Sequence, residues 1–227
     1  MRGTILACLG AALVTGVAPS LGQVDRLTQR DALAGLKAAL ERGSNAAVAA
    51  LGRVDGFLGN PQVKIPLPES LARTEKLARR LGFSNQVDEL VVAMNRAAEA
   101  AVPEARKLLV DSVKKMSVQD AKGILKGGET AATQYFRRSA DKTLHDRFLP
   151  IVKTATEKVG VAEHYREFSR PAAALGLIKT EHADLDEYVT QKALEGLYFM
   201  LGEEEKKIRK DPIGTGSAIL RKVFGAL

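Results

Sequence analysis

Apolar residues recur every three or four positions along most of this chain, and that period constrains the fold more than any other feature. Val87, Leu90, Val91, Met94, Ala98, Ala101 and Val102, continued by Ala105, Leu108, Leu109 and Val113 as far as Met116, form one stripe. A helix that lays one face on a core has this spacing. The same period runs through Leu33, Leu36, Ala39 and Leu40, through Leu144, Phe148, Ile151, Val152 and Ala155, and through Leu185, Tyr188, Val189, Ala193, Leu197, Met200 and Leu201. Aromatic residues make up only 5% of the chain and tryptophan is absent, so sheet formers are scarce and packing through small and aliphatic side chains is favoured. The fold expected is all-α: a single multi-helix bundle carrying an ordered, proline-rich extended loop.

Capping residues and breakers set the expected boundaries. Thr28 and Asp31 open a helix that Gly43 is expected to stop, and a shorter one follows over residues 44–51. Gly52, Gly56, Gly59, Asn60, Pro61, Pro66 and Pro68 then forbid a continuous helix, which makes this stretch the loop. Within it Val63-Lys64-Ile65-Pro66-Leu67-Pro68 alternates and reads as extended, with Phe57, Val63, Ile65 and Leu67 the candidate groove-filling residues. An edge strand is the alternative there, without an obvious partner.

Helices are expected over residues 69–80, from Ser84 to Met116 in two pieces divided at Pro103, and from a Ser117–Asp120 capping box to Gly127-Gly128. Further helices cover residues 130–138, 139–160 with a bend at Pro150, and 161–168, while residues 172–182 read as a lid or connection. Asp184 caps the last long helix, whose end, residues 203–210, reads as a solvated charged tail. After Gly214-Thr215-Gly216 comes a final amphipathic helix, residues 217–227.

Residues 1–22 read as a cleaved export signal. Arg2 supplies a positive charge, the apolar run from Ile5 to Val17 is short for a bilayer span, and Ser20-Leu21-Gly22 offers small residues for a signal peptidase. Gln23 is then the expected mature N-terminus, residues 23–227 the single helical domain, and the periplasm the expected compartment. Ile5-Leu6-Ala7-Cys8 has the outline of a lipoprotein box, but the apolar run lies mostly after Cys8, so a lipid anchor is the minor reading. Cys8 is the only cysteine. Without it the domain would be disulfide-free and would lack thiolate ligands and cysteine nucleophiles.

Four further runs accompany this pattern: Asp55-Gly56-Phe57-Leu58 with Asn60-Pro61-Gln62-Val63-Lys64-Ile65-Pro66-Leu67-Pro68, then Met94-Asn95-Arg96-Ala97-Ala98-Glu99, Ala131-Ala132-Thr133-Gln134-Tyr135-Phe136-Arg137, and Tyr188-Val189-Thr190 through Lys192-Ala193-Leu194-Glu195-Gly196-Leu197. In these the chain resembles the exported bacterial family catalogued as domain of unknown function 4197, over nearly all of the expected mature length. The resemblance implies an all-helical exported protein and supplies no catalytic residue.

Asn95, Arg96, Glu99 and Lys192 are the candidate polar pocket. Asn95 and Glu99 lie one turn apart, and Arg96 can pair with Glu99 at i,i+3. They fit either a ligand-orienting site between helices or a structural ion pair bonded to the proline-rich loop, and buried charges are more often the latter. A desolvated Lys192 is a nucleophile in principle, though a lysine keeping its ammonium in water is the plainer reading. Tyr135-Phe136 before Arg137-Arg138 places one ring in the core and the other partly outside.

His145, His164 and His182 have no mutual helical ligand spacing, and Asp184 beside His182 and Asp186 is better read as a cap, so neither metal nor cofactor is expected. Nucleotide, dinucleotide and serine-hydrolase motifs are absent from the sequence. The net charge is +7, but bases and acids are interleaved, which argues against specific nucleic-acid binding. The function expected is non-enzymatic binding or scaffolding, with an envelope protein or small apolar ligand held beside the loop over residues 56–68. The alternatives are weak contact with an anionic membrane surface through Arg221 and Lys222 of the last helix, and an enzyme using the polar pocket.

Overall fold

A computed structural model describes residues 21–174 and 184–211 of the chain. Residues 1–20 of the leader expected over 1–22, residues 175–182 of the expected lid or connection, the glycine turn at 214–216 and the final helix over 217–227 lie outside the described residues. Within them the protein is all-α, with no strand. The helices are α1 (Leu21–Leu51), α2 (Ala72–Arg80), α3 (Ser84–Ala101), α4 (Ala105–Lys115), α5 (Val118–Lys126), α6 (Ala131–Lys158), α7 (Val161–Ala174) and α8 (Leu185–Lys210). No described helix is long and apolar enough to cross a membrane.

One contiguous apolar cluster reaches from Leu36 in α1 to Leu201 in α8. α3 contributes Val87, Leu90, Met94, Ala97, Ala98 and Ala101 to it, all at the expected stripe positions or beside them. α6 packs on α3 and α8, and α1 packs on α8 and α4. Phe57, Phe136 and Phe148 are the largest fully enclosed side chains and supply bulk that the alanine-rich faces lack. Pro103 divides α3 from α4 through a single 3-10 turn, Val102–Glu104, because its missing N–H and its ring break the i→i−4 ladder.

Several boundaries differ from the sequence reading. Gly43 does not stop the first helix: α1 continues through it, and a β-carbon there would lie 3.3 Å from Ile208 Cδ1. This glycine lets α1 approach α8 closely, and one glycine costs a helix only about 1 kcal/mol. Residues 131–158 form one helix rather than two. Ser139, expected as a start, sits inside α6 and donates its hydroxyl to the Tyr135 carbonyl at 2.7 Å, while Pro150 lies exposed in the same helix. α7 likewise runs past Phe168 to Ala174.

The charged end of α8 is not a solvated tail on every face, since Glu205 and Ile208 are buried. Two caps follow the residues that announce them. Ser117 and Asp120 form a reciprocal capping box on α5, and Asp184 accepts the Glu187 N–H at 3.0 Å.

Candidate functional site

Between α1 and the 3-10 turn Glu69–Leu71 that leads into α2, the chain crosses the bundle in turns and extended backbone, and the amide groups its own turns leave unpaired need partners from elsewhere. α3 supplies them. Asn95, fully buried, accepts the Ile65 N–H at 2.9 Å and donates to the Ile65 carbonyl at 2.8 Å, standing in for a neighbouring strand. The same amide donates to Val91 O of its own helix at 2.7 Å. One turn on, Glu99 Oε1 accepts the N–H groups of Phe57 and Leu58 at 3.0 and 3.1 Å. Its Oε2 takes Arg96 Nη1 at 2.6 Å, and Arg96 Nη2 continues to Asp55 Oδ1 at 2.8 Å. Glu99 and Asp55 hold the Arg96 guanidinium above its ordinary pKa.

The loop's shape depends on its small and turn-forming residues. Asp55 has φ of +63°, and at Gly56 a β-carbon would lie 2.3 Å from Leu51 O, so no larger residue fits. Across the bundle, a β-carbon on Gly196 of α8 would meet Phe57 Cε1 at 2.7 Å. Tyr188 Oη donates to Pro66 O at 3.0 Å. Burial raises the Tyr188 pKa above its ordinary value. Phe57, Val63, Ile65 and Leu67, the candidate groove-filling residues, are all buried in the apolar core.

The candidate pocket therefore separates into two places. Asn95, Arg96 and Glu99 act together on the loop. Lys192 lines a different feature, a groove of about 640 Å³ on the other side of the loop, between it and α6 and α8. There Lys192 donates to Glu195 Oε2 at 2.7 Å, which raises its pKa, the opposite of what a nucleophilic amine needs.

The groove has a floor that mixes apolar and polar groups, Thr133 and the Tyr198 hydroxyl among the latter, and a charged rim. Val63, Gly196, Tyr198 and Gly202 lie low in it and are buried, and Phe199 is partly exposed at its side. Lys64, Arg137, Lys192 and Lys206 are its cations, with Glu195 and Glu203 its acids. Two cations are satisfied locally, Lys192 by Glu195 and Lys206 by Glu203. Lys64 is exposed and has no ion pair among the described residues; Arg137 stacks 4.5 Å above the Tyr198 ring. Burial, then the Asp141 charge, push the Tyr198 hydroxyl well above its ordinary pKa. The Tyr135-Phe136 pair divides as expected: Phe136 is core, Tyr135 is half-buried, and the rings meet edge to face with centroids 5.8 Å apart.

Sequence reasoning missed Glu205 and Arg209. Glu205 accepts the Ala132 and Thr133 N–H groups, each at 2.9 Å, and the Thr133 hydroxyl at 3.0 Å. Arg209 binds it through Nη2 at 2.8 Å and also donates to Ile124 O. The i,i+4 spacing of Glu205 and Arg209 was legible, but in a run alternating acids and bases nothing marked this pair as the one facing inward.

A family model described as "Protein of unknown function (DUF4197)" matches residues 26–225 of the chain. No curated protein and no solved structure matches it.

Proposed function

The chain belongs to the DUF4197 family, and on that footing we propose that it is a non-enzymatic binding protein that receives an acidic, extended segment of a partner protein in the groove beside the loop. The single observation that carries this reading is the groove's composition. Its floor offers Val63, two glycines and the Tyr198 ring beside Thr133, two of its four cations are left over after local pairing, and its wall is a loop pinned by buried hydrogen bonds. An apolar small molecule would leave Lys64 and Arg137 without a counter-charge, whereas a peptide with one or two acids and an apolar anchor engages rim and floor together. A rigid wall lowers the ordering cost of binding. The periplasm is part of the proposal, resting on residues 1–22, and cell fractionation tests it.

The binding test is fluorescence anisotropy with labelled acidic, neutral and basic peptides that share one aromatic anchor. Tight binding of the acidic peptide alone, weakened about tenfold for each of Lys64→Glu and Arg137→Glu and unchanged by Lys107→Glu on α4, supports the groove. Equal binding of all three peptides, or indifference to both groove reversals, overturns it.

A further inference from the structure

Away from the groove, α7 crosses the outer face of α3 and brings Glu89 of α3 to His164 and Glu167, which stand one turn apart on α7. His164 Nδ1 lies 3.8 Å from Glu89 Oε2 and 3.6 Å from Glu167 Oε2. One ligand atom from each of the three residues lies within 4.8 Å of the other two. We propose that Glu89, His164 and Glu167 form a binding site for a divalent first-row transition-metal ion of the Zn²⁺ type, with a coordination position open to the adjacent cavity.

The donor set is one borderline imidazole nitrogen and two hard carboxylates, which suits such an ion better than Ca²⁺ or a soft monovalent one. The spacing fits as well. Metal–ligand bonds of about 2.0–2.2 Å place neighbouring donor atoms about 3.0–3.6 Å apart; the two separations from His164 lie within a few tenths of an ångström of that range, and the two carboxylates, within 4.8 Å of each other, close onto an ion by side-chain rotation. Both separations from His164 are too long for a direct hydrogen bond, and Nδ1 is enclosed without a hydrogen-bond partner among the described residues.

The other described histidine behaves differently. His145 Nε2 lies 2.8 Å from Glu187 Oε1, an ordinary hydrogen-bonded pair with no gap to fill. Glu89 and His164 also line a cavity of about 380 Å³ together with Asp88, Val92, Arg96 and Val159. Asp88 is engaged by Arg79 at 2.8 Å, which leaves Glu89 as the carboxylate of α3 available to an ion. An ion bound by three protein groups beside a cavity keeps room for water or a small anion, and it would tie α7 to α3.

The test uses the full, tag-free chain stripped of metal with a chelator. Zn²⁺ is titrated calorimetrically and Co²⁺ by its visible absorption. The result expected is one saturable site per chain, a rise in Tm with Zn²⁺, and a Co²⁺ spectrum of low coordination number. His164→Ala should weaken binding by more than the roughly 10–100-fold that loss of an outer-shell partner alone costs, while His145→Ala leaves it unchanged. Glu89→Gln, at a half-exposed carboxylate, gives a second reading if the histidine variant does not fold. Absence of saturable binding, binding untouched by His164→Ala and Glu89→Gln, or equal loss in His145→Ala overturns the site.

Discussion

Two buried glutamates do similar work in this molecule and were very differently visible beforehand. Glu99 is 4% exposed and Glu205 is 5% exposed. Each accepts two backbone N–H groups and is neutralised by an arginine on its own helix, Arg96 three residues before it or Arg209 four residues after. Glu99 serves a loop whose own turns leave the Phe57 and Leu58 amides to be satisfied from outside. Glu205 serves the first turn of α6, where unpaired amides and the helix dipole already favour an anion. A carboxylate can thus substitute for secondary structure in one place and complete it in another, and the loop is the more dependent of the two.

Glu99→Ala should produce the largest change. It leaves the Phe57 and Leu58 amides unsatisfied and separates Arg96 from its buried partner, a loss of about 3–5 kcal/mol read as a lower urea midpoint. Hydrogen exchange should accelerate at Phe57 and Leu58 and leave α6 protected; exchange rising throughout the bundle would mean that the loop is not a separable unit.

Glu205→Ala is expected to cost less, about 2–3 kcal/mol. The freed amides stand at a helix end where fraying of one turn lets water in, and Arg209 keeps its bond to Ile124 O. A loss equal to that of Glu99→Ala would abolish the distinction between loop and cap. Asn95→Ala sharpens the loop side: it exposes the Ile65 N–H and carbonyl to an apolar interior, about 1–3 kcal/mol, and should loosen residues 63–67 without disturbing Phe57.

The smallest effect belongs to an acid doing the same work at the surface. The Ser117 hydroxyl and N–H both donate to Asp120 Oδ2, at 2.6 and 3.0 Å, and hold that carboxyl below its ordinary pKa. Because the folded value is the lower one, this contribution is complete above the ordinary carboxylate range and is lost as pH falls through the folded value. Exchange at the start of α5 should therefore rise only as pH falls below the ordinary carboxylate range, about pH 4, and Asp120→Asn should remove that dependence.

The legible parts were those where local chemistry points one way. The Ser117–Asp120 box, the Asp184 cap, the break at Pro103 and the burial of Phe57, Val63, Ile65 and Leu67 follow from residue types and spacing, as does the pairing of Arg96 with Glu99. Gly43 and Ser139 misled because a glycine or a capping residue stops or starts a helix only when the surrounding chain allows it. At Gly43 the packing of Ile208 against α1 decided otherwise.

The all-α class, the stripes and the position of the loop were determined by the sequence alone, because period, propensity and proline chemistry act over a few neighbouring residues. Which polar groups meet was decided only by the tertiary structure. Asn95 finds Ile65, Glu205 finds Ala132 and Glu89 approaches His164 across separations of 30, 73 and 75 residues. Such meetings depend on how helices stack, and in the linear chain a glutamate destined for the interior has the same side chain as one destined for water.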